Sequence, residues 1–96
     1  SNFTQLRWLH LKNNQIGDTG AIAIANAISK LSQLQILSLS NNQIGDAGAT
    51  SIATSISNLT QLYYLPLRNN KISEPVKQQL KKQFGSIGRS SIIYFL

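Results

Sequence analysis

The sequence predicts an α/β repeat array, and three observations carry that prediction. Leu6, Leu9, Leu11, Asn14 and Ile16 recur 28 residues later as Leu34, Leu37, Leu39, Asn42 and Ile44, and again as Leu62, Leu65, Leu67, Asn70 and Ile72. Within each unit a two-residue rhythm is followed by a helical one. Residues 1–28 and 29–56 share 16 identities, so the copies have drifted little. A fixed period of this length has to be read before any single element is assigned.

The strand comes first in each unit. Leu9 and Leu11 alternate with Trp8, His10 and Lys12, as expected of a strand with one buried face. The helix follows. Ala21, Ile24, Ala25 and Ile28 fall at i, i+3, i+4 and i+7, and Ala49, Ile52, Ala53 and Ile56 repeat that stripe. Gly17-Asp18 and Gly45-Asp46 stand at the helix starts, where a short side-chain oxygen accepts from the first free amides. Ser73-Glu74-Pro75 does the same in the third unit, with Pro75 suited to a first helical turn. Gly85 is expected to end the third helix as its C-terminal cap, after Val76, Leu80 and Phe84. Beyond a small polar link, Ile92-Ile93-Tyr94-Phe95-Leu96 falls in phase with the strands and predicts a fourth, closing strand. The expected organisation is one domain, 1–96, made of units 1–28, 29–56 and 57–84 and a closing strand within 85–96. One unit buries too little apolar surface to offset its own ordering, so the units must stack.

The pattern Leu-x-x-Leu-x-Leu-x-x-Asn-x-Ile, written three times, resembles the leucine-rich repeat. The 28-residue period with Ile-Gly-Asp-x-Gly-Ala and a full helix is similar to its ribonuclease-inhibitor-like class, also found in cytoplasmic immune sensors. That resemblance implies a right-handed solenoid, with a parallel sheet on the concave side and helices on the convex side. It also implies an asparagine ladder of Asn14, Asn42 and Asn70, bonding backbone groups where the chain leaves the sheet. A cytoplasmic, protein-binding scaffold is the function it suggests.

Strand alternation assigns the open face. Trp8, Ile36, Tyr64 and Ile92 form one column; His10, Ser38, Pro66 and Tyr94 a second; Lys12, Ser40, Arg68 and Leu96 a third. Arg7, Gln35 and Tyr63 belong at the strand entrance. These positions vary while the framework is constant, and exposed aromatic and Arg side chains are typical interface anchors. The expected partner-binding residues are Trp8, His10, Lys12, Ile36, Ser38, Tyr64, Pro66, Arg68, Ile92 and Tyr94. The alternative role for such aromatics is to stabilise their neighbours on the same face.

Composition points away from catalysis. The chain has no Cys, one His and three acids. His10 has no carboxylate or second ligand in its column, so neither a metal nor a catalytic role is expected, and no cofactor. Asp18, Asp46 and Glu74 lie 28 apart at helix starts, which fits capping better than a calcium-binding row. Gly85-Ser86-Ile87-Gly88 lacks the Lys of a phosphate loop, and the triplets at Asn2 and Asn58 are treated as accidental glycosylation matches.

The charge of +6 is concentrated late: Arg68, Lys71, Lys77, Lys81, Lys82 and Arg89. Lys81 replaces the alanine of Ala25 and Ala53, as a polar terminal repeat requires. A solvated cap is therefore preferred to a nucleic-acid or anionic-lipid patch, and no aromatic stripe interleaves with these lysines. No apolar run is long enough to span a membrane. Leu6, Leu9 and Leu11 have nothing to cover them on the N-terminal side, and the last strand is uncharged. This predicts either a part of a larger repeat protein or self-association through sheet edges. Two other functions stay open: a fragment of a Ran-type GTPase-activating protein or immune sensor, and a basic binder of anions or nucleic acid through the last helix.

Overall fold

The computed structural model describes residues 5–86, 88, 93 and 94. Strands and helices alternate: β1 (Trp8–His10), α1 (Gly17–Ile28), β2 (Ile36–Ser38), α2 (Asp46–Ile56), β3 (Leu65–Pro66), α3 (Glu74–Gly85) and β4 (Ile93–Tyr94). The strands pair in parallel. Trp8, Leu9 and His10 face Ile36, Leu37 and Ser38, and Leu65 and Pro66 face Ile93 and Tyr94. Each register equals the 28-residue period, so residues in equivalent positions are lateral neighbours. Between β2 and β3 the ladder narrows to one bridge, Ile36 with Tyr64. Pro66 is the physical reason. It stands where His10 and Ser38 stand, but it has no N–H for the next rung, although its carbonyl still accepts from the Leu39 amide at 3.1 Å.

The leucines of the strands and the apolar stripes of the helices meet in one core. Leu34, Leu37, Leu39, Ile44, Ile52 and Ile56 are fully buried, and Phe84 closes the core from α3. Of their first-unit counterparts, Leu6, Leu9, Leu11, Ile16 and Ile24 are only partly buried, and Ile28, at the end of α1, alone is fully buried. The second unit is flanked on both sides among the described residues, the first on one side only. For the strand leucines and the residues that follow them, burial thus depends on stacking as well as on residue type.

Helix spacing is set by small residues. Gly48 of α2 lies so close to the first unit that a Cβ there would meet Asp18 Oδ1 at 2.7 Å and the Ala21 Cβ at 2.8 Å. The Ser55 hydroxyl donates to the Ala25 carbonyl at 2.7 Å, tying α2 to α1. In α3 the equivalents of Gly48, Ala49 and Ala53 are Val76, Lys77 and Lys81. Accordingly α3 rests on α2 far more loosely than α2 does on α1.

The helix starts correct the expected capping. Neither Asp18 nor Asp46 caps its own helix. Asp18 Oδ1 instead accepts from the amides of Gly45 (2.7 Å) and Gly48 (2.9 Å), the N-cap and N3 positions of α2. One carboxylate from the first unit therefore satisfies two free amides of the second. Asp46 repeats the arrangement: its Oδ1 accepts from the Ser73 amide at 2.7 Å and its Oδ2 from the Ser73 hydroxyl at 2.8 Å. Ser73 then accepts from the Val76 amide, so α3 alone has a side-chain cap of its own. At the other end, Gly85 is the last residue of α3 itself rather than a left-handed cap. The left-handed turn falls at Gly88, with φ +75°, whose amide donates to the Gly85 carbonyl.

The loops after the strands hold the asparagines. Asn42 is fully buried. Its Oδ1 accepts from the Asn14 amide (2.7 Å), and its Nδ2 donates to the carbonyls of Leu11 (2.8 Å) and Ser40 (3.2 Å). Asn70 serves the second unit likewise, accepting from the amides of Asn42 (3.0 Å) and Ile44 (2.9 Å). Asn13, Asn41 and Asn69, each preceding a ladder asparagine, lie in the left-handed region at φ 65°, 61° and 59°. Asparagine tolerates that region better than most side chains.

Two outcomes follow for stability, both measurable by urea unfolding. Asn42→Ala leaves buried amides and carbonyls without partners and is expected to cost about 3 kcal/mol, whereas Asn14→Ala, at an exposed site, costs less than about 1 kcal/mol. Asp18→Ala is expected to cost about 1–2 kcal/mol by exposing the start of α2, although the altered residue lies in α1.

Candidate functional site

The open face of the strands is built by default. Once the leucines point inward, the alternate side chains must stand outside. Trp8 is 58% exposed, Tyr64 40% and Tyr94 43%, and His10, Lys12 and Arg68 are also exposed. Ile36 is half-covered. Ser38 and Pro66 are buried, so they form the floor of this face rather than its reading surface. Ile92, also expected in the first column, lies outside the described residues, as do Leu96 and Arg89.

A groove of about 310 Å³ crosses the face toward the strand exits. It brings together His10, Lys12, Ser38, Tyr64, Pro66 and Arg68 from the expected set. Trp8, Ile36 and Tyr94 do not line it. Instead Tyr94 flanks it through Tyr64, the two rings lying 5.1 Å apart between centroids at 55°. Such a tilted pair stabilises both rings beyond the area they bury. It also joins the two columns diagonally, because Tyr94 is the register partner of Pro66.

Asn13, Ser40 and Asn41 complete the groove. Of these, Ser40 falls in the third column, while the two asparagines were not expected to reach this face. The signal was present in the Asn-Asn pairs. Only the second of each pair is used by the ladder, and the first, in a left-handed turn, is exposed beside the strand exit. Tyr63, 56% exposed at the strand entrance, adds a further aromatic edge. A second, wider depression of about 490 Å³ lies at that entrance, lined by Arg7, Ser32, Gln33, Gln35 and Gln61.

The face presents aromatic, cationic and amide side chains. His10 Nδ1 and Ser38 Oγ are hydrogen-bonded at 3.0 Å, which fixes the imidazole over the next strand. This pair is not arranged for nucleophilic attack: Ser38 is 6% exposed, and the three acids of the chain all stand in the first turns of the helices. Among the described residues no three His, Cys, Asp or Glu side chains gather as a metal site would require. No helix among them is long and apolar enough to cross a membrane. The late cluster of cations divides in space. Arg68 belongs to the groove, whereas Lys77, Lys81 and Lys82 lie on α3.

Comparison with known proteins agrees with the internal repeat. No curated protein matches the chain. Residues 4–49 match the family model described as leucine rich repeats, in two copies. The likeness covers residues 4–49, and the 28-residue register carries the same spacing on into the third unit.

Proposed function

We propose that this chain is a protein-interaction module that binds a partner on the open face of its strands. The observation that carries this is the contrast between framework and face. Leucine, isoleucine and asparagine recur unit after unit, while Trp8, Tyr64 and Tyr94 stand exposed where stacking requires no aromatic side chain. Leucine-rich repeats generally mediate protein–protein contacts, which fits. Large rigid aromatics beside an arginine supply contact area at a low cost in entropy.

The finer architecture belongs to the same proposal. Residues 1–96 form one domain, a right-handed solenoid of the ribonuclease-inhibitor-like class acting as a cytoplasmic scaffold. Parallel strands are spaced about 4.8 Å apart and packed helices about 8–10 Å, so stacked strand–helix units must fan out with the sheet inside. A concave sheet wraps its partner and gathers separate anchors onto one surface.

Photo-cross-linking tests the proposal. A benzoylphenylalanine placed at Trp8 or Tyr64 is expected to capture one polypeptide in common, whereas the same group at the exposed Gln78 of α3 captures none. Replacing Trp8 and Tyr64 together by Ala should weaken that association at least about thirtyfold while circular dichroism is unchanged. Capture from Gln78 alone would remove the open face from consideration.

A further inference from the structure

Among the described residues, the side chains of the open face carry charge of one sign only. Asp18, Asp46 and Glu74 are the chain's acids, all at helix starts, and two of them already accept bonds from backbone amides of the next unit. The groove, by contrast, contains Lys12 and Arg68, and no carboxylate among the described residues lines it. These two cations occupy one column with Ser40 between them, each 28 residues from the next. Two strand spacings separate the cations by about 10 Å. Ser40 is small and only 6% exposed, so the column has a notch at its middle with a positive side chain on either side. Asn13 and Asn41, exposed in their left-handed turns, add amide groups at the edge of the same notch.

We propose that this notch receives a carboxylate side chain from an acidic stretch of the partner polypeptide. Lys12 and Arg68 hold the carboxylate from either side, and Tyr64 packs against the residue beside it. The proposal rests on the open-face reading and adds the chemistry of the partner. A polypeptide fits better than a nucleic acid. Two cations neutralise too few phosphates to drive polyanion binding, and the lysines of α3 lie outside the groove. A hollow of about 310 Å³ suits one or two side chains of an extended segment.

Titration calorimetry with synthetic peptides tests this. The probes are a capped decapeptide alternating Glu and Leu, its twin with Gln in place of every Glu, and an oligothymidylate of equal length. The Glu peptide is expected to bind at least about tenfold more tightly than the Gln twin, with a preference that shrinks as salt is raised. Lys12→Glu with Arg68→Glu should abolish the preference, and so should the milder Lys12→Gln with Arg68→Gln; all four changes are at exposed sites. Equal binding of the twins, absence of binding by the Glu peptide, a preference that survives charge reversal, or tighter binding of the oligothymidylate would each overturn the acidic-partner proposal. The open-face reading is separable from it. If the twins bind alike and Trp8→Ala with Tyr64→Ala loses both, the face is a binding site without acidic selectivity.

Discussion

The fold depends on satisfying backbone groups where the chain turns from strand to helix. At the second unit's turn Asn42 and Ile44 are buried between units, where an unpaired amide or carbonyl is costly. Asn42 is the clearest solution: fully buried, it bonds backbone atoms of its own unit and of the preceding one. Only a short side chain with both a donor and an acceptor can do this, which explains why the asparagine is constant while its surroundings vary. The left-handed Asn13, Asn41 and Asn69 belong to the same solution, because they aim the chain so that the next residue points inward. Leucine burial supplies the driving force, and the asparagines make it compatible with a turn.

With that constraint met, the two sides of the strands have unequal freedom. Leu37 and Leu65 are locked in the core, and their neighbours in sequence are free of it. The outward positions therefore hold residues as different as Trp8, Ile36 and Tyr64 within one column. Even so, freedom from the core is not freedom from one another. His10 bonds Ser38, and Tyr64 leans on Tyr94, so the face is partly fixed before any partner arrives. That fixing lowers the entropy lost on binding.

Much of this was legible in the sequence. The period gives the lateral neighbours directly, and the positions of Trp8, His10, Lys12, Tyr64 and Arg68 followed from alternation around the leucines. What alternation could not give was depth. Ser38 and Pro66 lie in an outward column, yet they are buried, because small residues sink beneath larger neighbours. The pattern also could not say which unit an aspartate serves. Asp18 sits at the start of one helix, and only packing shows that its carboxylate reaches the next. Pro66 was a signal within reach: a residue without an N–H inside a strand pattern announces the thinned ladder between β2 and β3.

The aspartates and the asparagines act in opposite directions along the chain. Asp18 extends forward and secures the helix start of the second unit, whereas Asn70 extends backward and secures that unit's turn. An inner unit thus borrows backbone partners from both sides. Removing its predecessor loosens its helix, and removing its successor loosens its loop. The two ends of the array are therefore not equivalent, and fraying takes a different route from each: from the front it strips helices of their anchors, from the back it opens turns.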